Sequence, residues 1–260
     1  MRPHEIRVAV AGANGRMGRT IVRAIQDCEN FVLAAAFGRH PDVLQPAFGT
    51  AAEIQITTDP AAALRSADVL IDFTTPDTSV ALAALTAAAH LPHIIGTTGF
   101  SPAQDQQIAG AAMGTPIVKS SNTSIGVAVL AALVRQAAAA LQDFDIGIFE
   151  MHHRMKADAP SGTALLLGSA AAEGRSNSVS KATPKTERPN VGDEIDYASL
   201  RGGTVVGEHS VIFSGLSERV VLSHSAEDRI IFARGALAAA RWLQGKAPGL
   251  YDMNDVLGLS

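Results

Sequence analysis

The sequence predicts an α/β protein with two domains, one built on a doubly wound parallel sheet and one an α+β domain with a mixed sheet. Three observations predict this fold class. In the first half, short apolar runs rich in valine and isoleucine alternate with alanine-rich segments of helical spacing, as buried parallel strands separated by helices do. In the second half, the strand-like runs from Tyr197 to His224 follow one another through short glycine-containing turns without helices between them, which is typical of an antiparallel or mixed sheet. The length of 260 residues leaves room for one large domain or two modest ones.

The apolar runs of the first half are predicted to be strands because each is short and continuous. These strands are Ile6–Ala11, Phe31–Phe37, Val69–Phe73, His93–Ile95 and Pro116–Lys119. The segments between them are predicted helices, at Gly18–Asp27, Asp59–Arg65, Pro76–Ala89 and Pro102–Ala112. This regular βαβ order predicts parallel strands with helices on both faces of the sheet.

The second half has a different order of elements. Predicted helices are Gly126–Leu141, Gly162–Glu173 and Arg229–Leu243, and predicted strands are Asp145–Glu150, Tyr197–Leu200, Thr204–Val206, Ser210–Phe213 and Arg219–His224. Polar stretches predict loops at Met151–Pro160 and Gly174–Asp193. We expect the apolar tail to dock on the first domain. The chain is predicted to cross between domains near Asn122–Gly126 and Ala233–Gly235, giving one domain of residues 1–123 and 234–260 and another of residues 124–233.

Composition excludes several classes of function. The net charge is −4 and the chain has no basic block, so we expect no nucleic-acid partner. The single cysteine, Cys28, allows neither an intrachain disulfide nor a cysteine-based zinc site, which favours a reducing, cytoplasmic location. The alanine-rich stretches carry polar residues or are shorter than a bilayer span, and the first residues lack a signal-peptide core. We therefore expect a soluble protein without a membrane partner.

The first predicted strand leads into a glycine-rich loop, G-A-N-G-R-M-G, with Gly12, Gly15 and Gly18 three residues apart. A tight turn and a close approach of backbone N–H groups to a pyrophosphate leave no room for side chains, and a helix N-terminus adds free donors. The spacing differs from G-x-G-x-x-G, and any strand–helix turn can contain glycine. Its place at the first βα junction nevertheless favours a Rossmann-like dinucleotide-binding domain.

The end of the second strand bears on the choice of cofactor. A carboxylate there would bind the adenosine ribose 2′-hydroxyl, whereas a cation suits a 2′-phosphate. The sequence has Gly38 followed by Arg39 and His40, and Arg39, helped by Arg16, could clamp a phosphate. We predict NADPH over NADH; the alternative is that Arg39 is a solvated loop residue.

Two further loops follow strands at the predicted ligand edge of the sheet. They are I-G-T-T-G-F, with Gly96–Gly99, and K-S-S-N-T-S, with Ser120–Thr123. Their short side chains could contact a nicotinamide. Each on its own fits an ordinary turn better than a binding loop.

The segment E-M-H-H-R-M-K-A-D-A-P-S-G-T-A, Glu150–Ala164, is the most informative of the chain. It places His152, His153 and Lys156 before a predicted helix start at Gly162 and Thr163. Cations beside a helix N-terminus can bind carboxylates, and a histidine with a lysine could deliver a proton. The alternatives are a metal site, disfavoured by the lysine and by missing ligand spacing, and a solvated loop. The other histidines, at positions 4, 40, 90, 93, 209 and 224, show no ligand spacing, so we expect no catalytic part for them.

These motifs together resemble the bacterial dihydrodipicolinate reductase (4-hydroxy-tetrahydrodipicolinate reductase) family. The resemblance rests on V-A-G-A-N-G-R-M-G, I-D-F-T, I-G-T-T-G, S-N-T-S-I-G-V, E-M-H-H-R-M-K-A-D-A-P-S-G-T-A, V-G-E-H-S and the tail W-L-x-G-K-x-x-G-L-Y-D-M-x-D-V-L. It spans nearly the whole chain, and the His-His to Ser-Gly-Thr string is its most specific part. Two departures stand out: many members have an acidic residue at the position of Gly38, and some have an aromatic residue at that of Thr123.

The resemblance implies reduction of 4-hydroxy-tetrahydrodipicolinate, a small dicarboxylate, in diaminopimelate and lysine biosynthesis, by a homotetramer whose second domain binds substrate and forms the interface. It implies a catalytic pair, His152 and Lys156, and substrate binding by His153, Gly162 and Thr163. It also implies cofactor binding by Gly12, Ala13, Asn14, Gly15, Arg16, Met17, Arg39, Gly96, Thr97, Thr98, Ser120, Ser121, Asn122 and Thr123. No metal is implied.

Two other functions fit the same layout. One is an amino-acid dehydrogenase of the homoserine or aspartate type, and the other is a regulator that senses NADPH without catalysis. The string from His152 to Thr163 argues against the first. The second needs neither the histidine–lysine loop nor a helix start suited to anions.

Overall fold

The computed structural model describes residues 5–38, 55–175 and 195–259. These residues form two compact units: one comprises the chain up to Ser124 together with Ile230–Gly258, and the other comprises Ile125–Arg229. The chain thus crosses between units after Ser124 and after Arg229, and the second crossing precedes the one that the sequence suggested.

The first unit is built on a seven-stranded sheet in the order β11-β6-β5-β4-β1-β2-β3, in which every pair is parallel. Its strands are β1 (Ile6–Ala11), β2 (Phe31–Phe37), β3 (Gln55–Thr57), β4 (Val69–Asp72), β5 (His93–Ile95), β6 (Pro116–Lys119) and β11 (Gly249–Tyr251). Its helices are α1 (Arg16–Gln26), α2 (Pro60–Leu64), α3 (Pro76–Ala89), α4 (Pro102–Ala111), α7 (Ile230–Trp242) and α8 (Met253–Leu257). The predicted doubly wound parallel sheet is confirmed.

The central strands of this sheet are mostly apolar and are covered on both faces. Val8, Val10, Leu70 and Ile71 have no exposed surface, as expected for a parallel sheet between layers of helices. The sequence did not predict β3 or β11, each of three residues. The predicted docking of the tail is confirmed, since Gly249–Tyr251 pairs with β6 in parallel.

The second unit is a four-stranded mixed sheet with two helices on one face. Helices α5 (Ile125–Ala140) and α6 (Gly162–Gly174) accompany strands β7 (Asp145–His152), β8 (Ile195–Arg201), β9 (Gly207–Gly215) and β10 (Glu218–Ala226). The order is β10-β9-β7-β8; β7 and β8 are parallel and the other pairs are antiparallel. Leu130, Leu167, Val211 and Phe213 form part of the core between the sheet and the helices. The mixed sheet is confirmed.

Three predicted boundaries in this unit are wrong. Met151 and His152 belong to β7 and not to a loop, because the alternation of buried and exposed residues continues to His152. Thr204–Val206 is not a strand: the chain turns at Gly203 and Thr204 and enters β9 only at Gly207. The predicted loop Gly174–Asp193 begins inside α6, and most of it lies outside the described residues.

Among the described residues, none of the helices combines the length and the apolar character that crossing a bilayer requires.

Candidate active site

The glycine-rich loop joins β1 to α1 at the carboxyl edge of the sheet. Gly12 has φ +69°, and a Cβ there would lie 2.9 Å from Thr74 Cγ2. A Cβ on Gly18 would lie 2.2 Å from the carbonyl oxygen of Gly12, so the helix can pack against the loop only without a side chain at this position. Gly15 and Arg16, at the start of α1, are exposed, as a helix terminus that binds an anion must be.

A cavity of about 650 Å³ lies beside this loop. It is lined by Gly12, Asn14, Gly15, Phe37, Gly38, Thr58, Pro60, Phe73, Thr74, Thr75, Thr78 and Leu82. It therefore brings together the predicted loop residues and the end of β2. The sequence analysis quoted the motif I-D-F-T but did not assign the residues after β4 to the cofactor site, although strand ends at this edge are where ligands bind in such sheets.

The other predicted cofactor residues are placed as follows. Arg39 lies outside the described residues. Ala13 is buried, Met17 is half-buried, and Thr98 and Ser121 are exposed. Gly96 follows β5 and is packed so closely on Phe73 that a Cβ would lie 2.2 Å from its ring.

Two of the threonines predicted to bind the cofactor form hydrogen bonds within the first unit. Thr97 Oγ1 accepts hydrogen bonds from the Thr74 amide at 2.9 Å and from Ser79 Oγ at 2.8 Å. Thr123 Oγ1 donates to the carbonyl oxygen of Phe232 at 2.7 Å. In the same loop, Ser120 Oγ donates to the carbonyl oxygen of Asn122 at 2.7 Å.

In the second unit, a cluster of polar side chains occupies the helix-covered face of the sheet. Glu150 and His152 are two residues apart on β7 and therefore share a face; they are 1% and 8% exposed. The register places His209 of β9 opposite Glu150 and Arg201 of β8 opposite His152.

Hydrogen bonds from several residues converge on Glu150. Arg201 binds it in a bidentate manner, with Nη2 2.8 Å from Oε1 and Nη1 2.9 Å from Oε2. His152 Nδ1 lies 2.5 Å from Oε2, and the Ser161 amide lies 3.3 Å from Oε1. Burial alone raises the pKa of Glu150, but hydrogen bonds from Arg201, Ser199 and His152 outweigh it and lower that pKa to about 2.

The two histidines of the cluster favour the neutral form. Burial lowers the pKa of His152; Glu150 opposes this shift, and the charges of Lys156 and Arg201 add to it. Burial also lowers the pKa of His209, to about 4, with a further contribution from the charge of His152. The two rings meet edge-on with centroids 5.0 Å apart, a contact that the sequence did not predict.

Lys156 lies in the loop between β7 and α6 and is partly buried. Its Nζ is 2.8 Å from Asp158 Oδ2, and this contact lowers the pKa of Asp158. Arg201 holds the same loop, because its guanidinium donates to the carbonyl oxygens of Lys156 at 3.2 Å and Asp158 at 2.5 Å. The loop that carries the lysine is thus fixed to the cluster around Glu150.

The start of α6 has the features of an anion site. Ser161 is its N-cap and accepts from the Ala164 amide at 3.2 Å, while its hydroxyl contacts His209 Nε2 at 3.0 Å. Gly162, which is exposed, and Thr163, which is half-buried, occupy the first turn of α6, where the positive end of the helix dipole lies. His153 lies in the preceding loop with its Nε2 3.3 Å from Arg229 Nη2, beside a cavity of about 450 Å³.

The ligand atoms of Glu150, His152 and His209 lie within 4.8 Å of one another, the spacing of a metal site. Both oxygens of Glu150 already accept from the Arg201 guanidinium. A cation placed among these residues would face that positive charge at close range. The contacts favour a hydrogen-bonded cluster over a metal centre.

Comparison with known proteins decides the family. A family model described as dihydrodipicolinate reductase, N-terminus, matches residues 6–123, and one described as dihydrodipicolinate reductase, C-terminus, matches residues 126–257. The chain belongs to the dihydrodipicolinate reductase family. The resemblance drawn from its motifs is confirmed.

Curated members of the family align over almost the entire chain. The 4-hydroxy-tetrahydrodipicolinate reductase of Parvibaculum lavamentivorans is 50% identical over 268 residues, covering 98% of each chain. The enzyme of the same name from Caulobacter vibrioides is 50% identical over 260 residues, covering 97% of each. The predicted enzyme class, a pyridine-nucleotide-dependent reductase of diaminopimelate and lysine biosynthesis, is confirmed, and neither the amino-acid dehydrogenase nor the regulator is favoured.

Solved structures agree on the fold. A dihydrodipicolinate reductase from Paenisporosarcina sp. TG-14, described as dipicolinate-bound, matches with a TM-score of 0.79 and 26% identity over 95% of this chain and 97% of the other. An amine dehydrogenase from Mycobacterium smegmatis matches with a TM-score of 0.68 at 12% identity over 96% of this chain and 95% of the other. The second likeness concerns the fold alone.

Proposed function

We propose that this chain reduces 4-hydroxy-tetrahydrodipicolinate to tetrahydrodipicolinate, with a hydride from NADPH and a proton from the pair His152 and Lys156. The observation that carries the proposal is the arrangement around α6: a lysine and two histidines precede a helix start at which Gly162 is exposed. A dicarboxylate fits this chemistry, and the Paenisporosarcina relative is described as dipicolinate-bound.

The substrate ring is a cyclic imine with two carboxylates. Loss of its hydroxyl group as water gives a conjugated C=C–C=N system. NADPH, when bound, supplies a hydride to the far end of that system, and the electrons move to the ring nitrogen as an enamine. A proton must then reach the neighbouring carbon to restore the imine. Substrate, NADPH and one proton thus give tetrahydrodipicolinate, NADP⁺ and water.

The residues of the second unit supply the binding and the proton. The amides of Gly162 and Thr163 bind one carboxylate with the help of the helix dipole, and His153 binds the substrate beside them. Lys156 is an ammonium group that lowers the cost of the developing negative charge. Since the pKa of His152 is lowered, this ring is neutral near pH 7 and can accept a proton or pass one on.

The glycine-rich loop and the loops after β5 and β6 are proposed to hold the nucleotide. The N-terminus of α1 would bind the pyrophosphate, with Gly12, Asn14 and Gly15 lining the cavity beside it. The preference for NADPH rests on Gly38, which leaves no carboxylate for a ribose 2′-hydroxyl, and on Arg39 as a partner for a 2′-phosphate.

One assay tests the function. NADPH absorbance is followed with enzymatically generated 4-hydroxy-tetrahydrodipicolinate, then with aspartate semialdehyde, then with oxaloacetate plus ammonia. We expect turnover with the first substrate alone, and turnover only with either of the others contradicts the proposal.

A crystal soak tests the assigned site. In crystals soaked with pyridine-2,6-dicarboxylate, the ligand should lie beside residues 152–163, and density for it elsewhere counts against the assigned site.

We further propose that the protein is a cytoplasmic homotetramer. The face of the four-stranded sheet that carries no helix supports an interface, because Leu200 and Val221 are 52% and 53% exposed on it and such patches favour association. Light scattering coupled to gel filtration should give four times the chain mass of 27.0 kDa. A monomer mass at micromolar concentration contradicts it.

A further inference from the structure

The function proposed above leaves Glu150 without a role, although it is the most buried charged residue near the proton-handling pair. Its exposed fraction is 1%. A buried carboxylate is unfavourable unless its oxygens are hydrogen-bonded and its charge is balanced. Both conditions are met here by groups that belong to the proposed site.

Each oxygen of Glu150 has at least two hydrogen-bond partners. Oε2 accepts from Arg201 Nη1 and pairs with His152 Nδ1, and Oε1 accepts from Arg201 Nη2 and the Ser161 amide. The Arg201 guanidinium and the Ser161 amide can only donate and they occupy both oxygens, so the ionised carboxylate is the form that fits them. Its lowered pKa agrees with this geometry. Glu150 is therefore an acceptor and never a donor at neutral pH.

This fixes the protonation of His152. A neutral imidazole has one N–H and one lone pair, and a partner that only accepts requires the N–H to be at Nδ1. The lone pair is then at Nε2. That atom lies next to Gly207, where an added Cβ would be only 3.0 Å away, so the ring also has little room to move towards β9.

The same carboxylate fixes the start of α6. It accepts the Ser161 amide, while the Ser161 hydroxyl is shared between the Ala164 amide and His209. The next two amides, of Gly162 and Thr163, are those proposed to bind a substrate carboxylate. The position of these amides relative to the imidazole of His152 is thus set by one side chain.

We propose that Glu150, held by Arg201, is a positioning residue for the reduction: it keeps His152 with its proton on Nδ1 and its lone pair on Nε2, and it fixes that ring relative to the anion-binding start of α6. The proposal rests on the proposed function, because it assigns Glu150 to the same site. The Glu150–Arg201 pair acts through His152 and Ser161 and does not itself touch the substrate.

The first test needs no substrate. In ¹⁵N spectra of the wild-type protein at pH 8, with the His152 signals assigned by comparison with His152→Gln, Nδ1 should carry the proton and Nε2 should not. The opposite tautomer overturns the proposal. Since this readout is independent of turnover, it separates a failure of the inference from a failure of the proposed function.

The second test is Glu150→Gln, with Glu173→Gln as its control. Glu173 also binds an arginine, with Arg135 Nε 3.0 Å from its Oε2, but it lies on the surface at the end of α6. Glutamine at position 150 has an NH₂ group that cannot accept a hydrogen bond from the groups around it. This amide also permits the other tautomer of His152. A comparable loss of an orienting carboxylate lowers kcat by about 10²–10⁴.

We expect Glu150→Gln to lose at least about 10² in kcat with the KM for NADPH unchanged, and to shift the His152 ¹⁵N signals, whereas Glu173→Gln does neither. A folded Glu150→Gln with wild-type kcat and the wild-type tautomer overturns the proposal. Should Glu150→Gln fail to fold, Glu150→Asp replaces it: this variant retains the charge but shortens the reach to His152. Glu150→Asp should lower kcat while binding NADPH normally, and wild-type kcat in it again overturns the proposal.

Discussion

Lys156 is the residue whose removal tests the proton-transfer step directly. The variant Lys156→Ala should lower kcat by about 10² or more, because a positioned general acid contributes a factor of this size. The KM for NADPH should stay close to that of the wild type. Lys246→Ala, which removes an exposed lysine stacked on Trp242 with Nζ 4.1 Å from the ring centroid, is the control. Unchanged turnover in Lys156→Ala contradicts the assignment.

Gly38 is the residue at which cofactor preference can be changed. A Cβ at this position would be 3.8 Å from the nearest atoms, which belong to Asn14, so a larger side chain can be accommodated. Gly38→Glu places a carboxylate where a ribose 2′-hydroxyl would bind and a 2′-phosphate would be repelled.

We therefore expect the ratio of kcat/KM for NADPH to that for NADH to exceed one in the wild type and to fall by about tenfold or more in Gly38→Glu, because the new carboxylate repels the 2′-phosphate and a tenfold change corresponds to about 1.4 kcal/mol. Gly110→Glu, on the exposed surface of α4 with no atom within 4 Å of its Cβ, should leave the ratio unchanged. A wild-type kcat/KM tenfold higher for NADH rejects the predicted preference.

Helix α6 is the element on which substrate affinity is proposed to depend. Its N-cap, Ser161, bonds the Ala164 amide, and the N-cap of α4, Ser101, bonds the Gln104 amide at 3.3 Å. Ser161→Ala and Ser101→Ala should each lower the free energy of unfolding by about 1 kcal/mol, the usual contribution of an N-cap.

Only Ser161→Ala should also weaken substrate binding, because only α6 carries the proposed carboxylate site. Its KM for substrate should rise severalfold while the KM for NADPH stays constant, and Ser101→Ala should change neither constant. Equal KM values for substrate in the two variants would show that the start of α6 does not bind the carboxylate.

At the scale of the whole molecule, the buried cluster makes stability depend on pH. The pKa of His209 is lowered to about 4 by burial, whereas histidine in an unfolded chain titrates near 6.5. Between these values the unfolded chain binds more protons than the folded protein, so the free energy of unfolding falls as pH decreases from about 6.5 to 4. The contribution of His209 is at most about 3 kcal/mol.

Urea unfolding of the wild type and of His209→Gln at pH 7, 6, 5 and 4.5 measures this contribution. The wild type should lose more stability than the variant over this interval, and the difference should be small above pH 7. His90→Gln, at an exposed histidine on the C-terminus of α3, is the control and should follow the wild type. Identical pH dependence in wild type and His209→Gln contradicts the prediction.

The sequence predicted what depends on local pattern. The predicted strands between Ile6 and Lys119 are short apolar runs, and the glycine-rich loop and the start of α6 lie in short motifs, so periodicity and spacing reveal them. The three-residue strands β3 and β11 were missed because pairing with β2 and β6, and not their composition, makes them strands.

The site was predictable in part for the same reason. His152, Lys156 and the start of α6 lie within one segment, whereas Arg201 is 51 positions from the glutamate that it binds. His209 reaches the cluster only through the register of β9 on β7. Such partners are set by strand pairing, which a single sequence does not display.

The return of the chain to the first sheet has a consequence for biosynthesis of the protein. Strand β11 completes an edge of that sheet by pairing with β6, yet the whole of the second unit is translated between them. When residue 229 has left the ribosome, every residue of the unit Ile125–Arg229 has been synthesised. Helix α7 and strand β11 of the first unit are still to be made. The second unit can therefore fold before the first is complete. Until β11 is synthesised, the backbone of β6 is an unpaired edge that can bond to strands of other nascent chains.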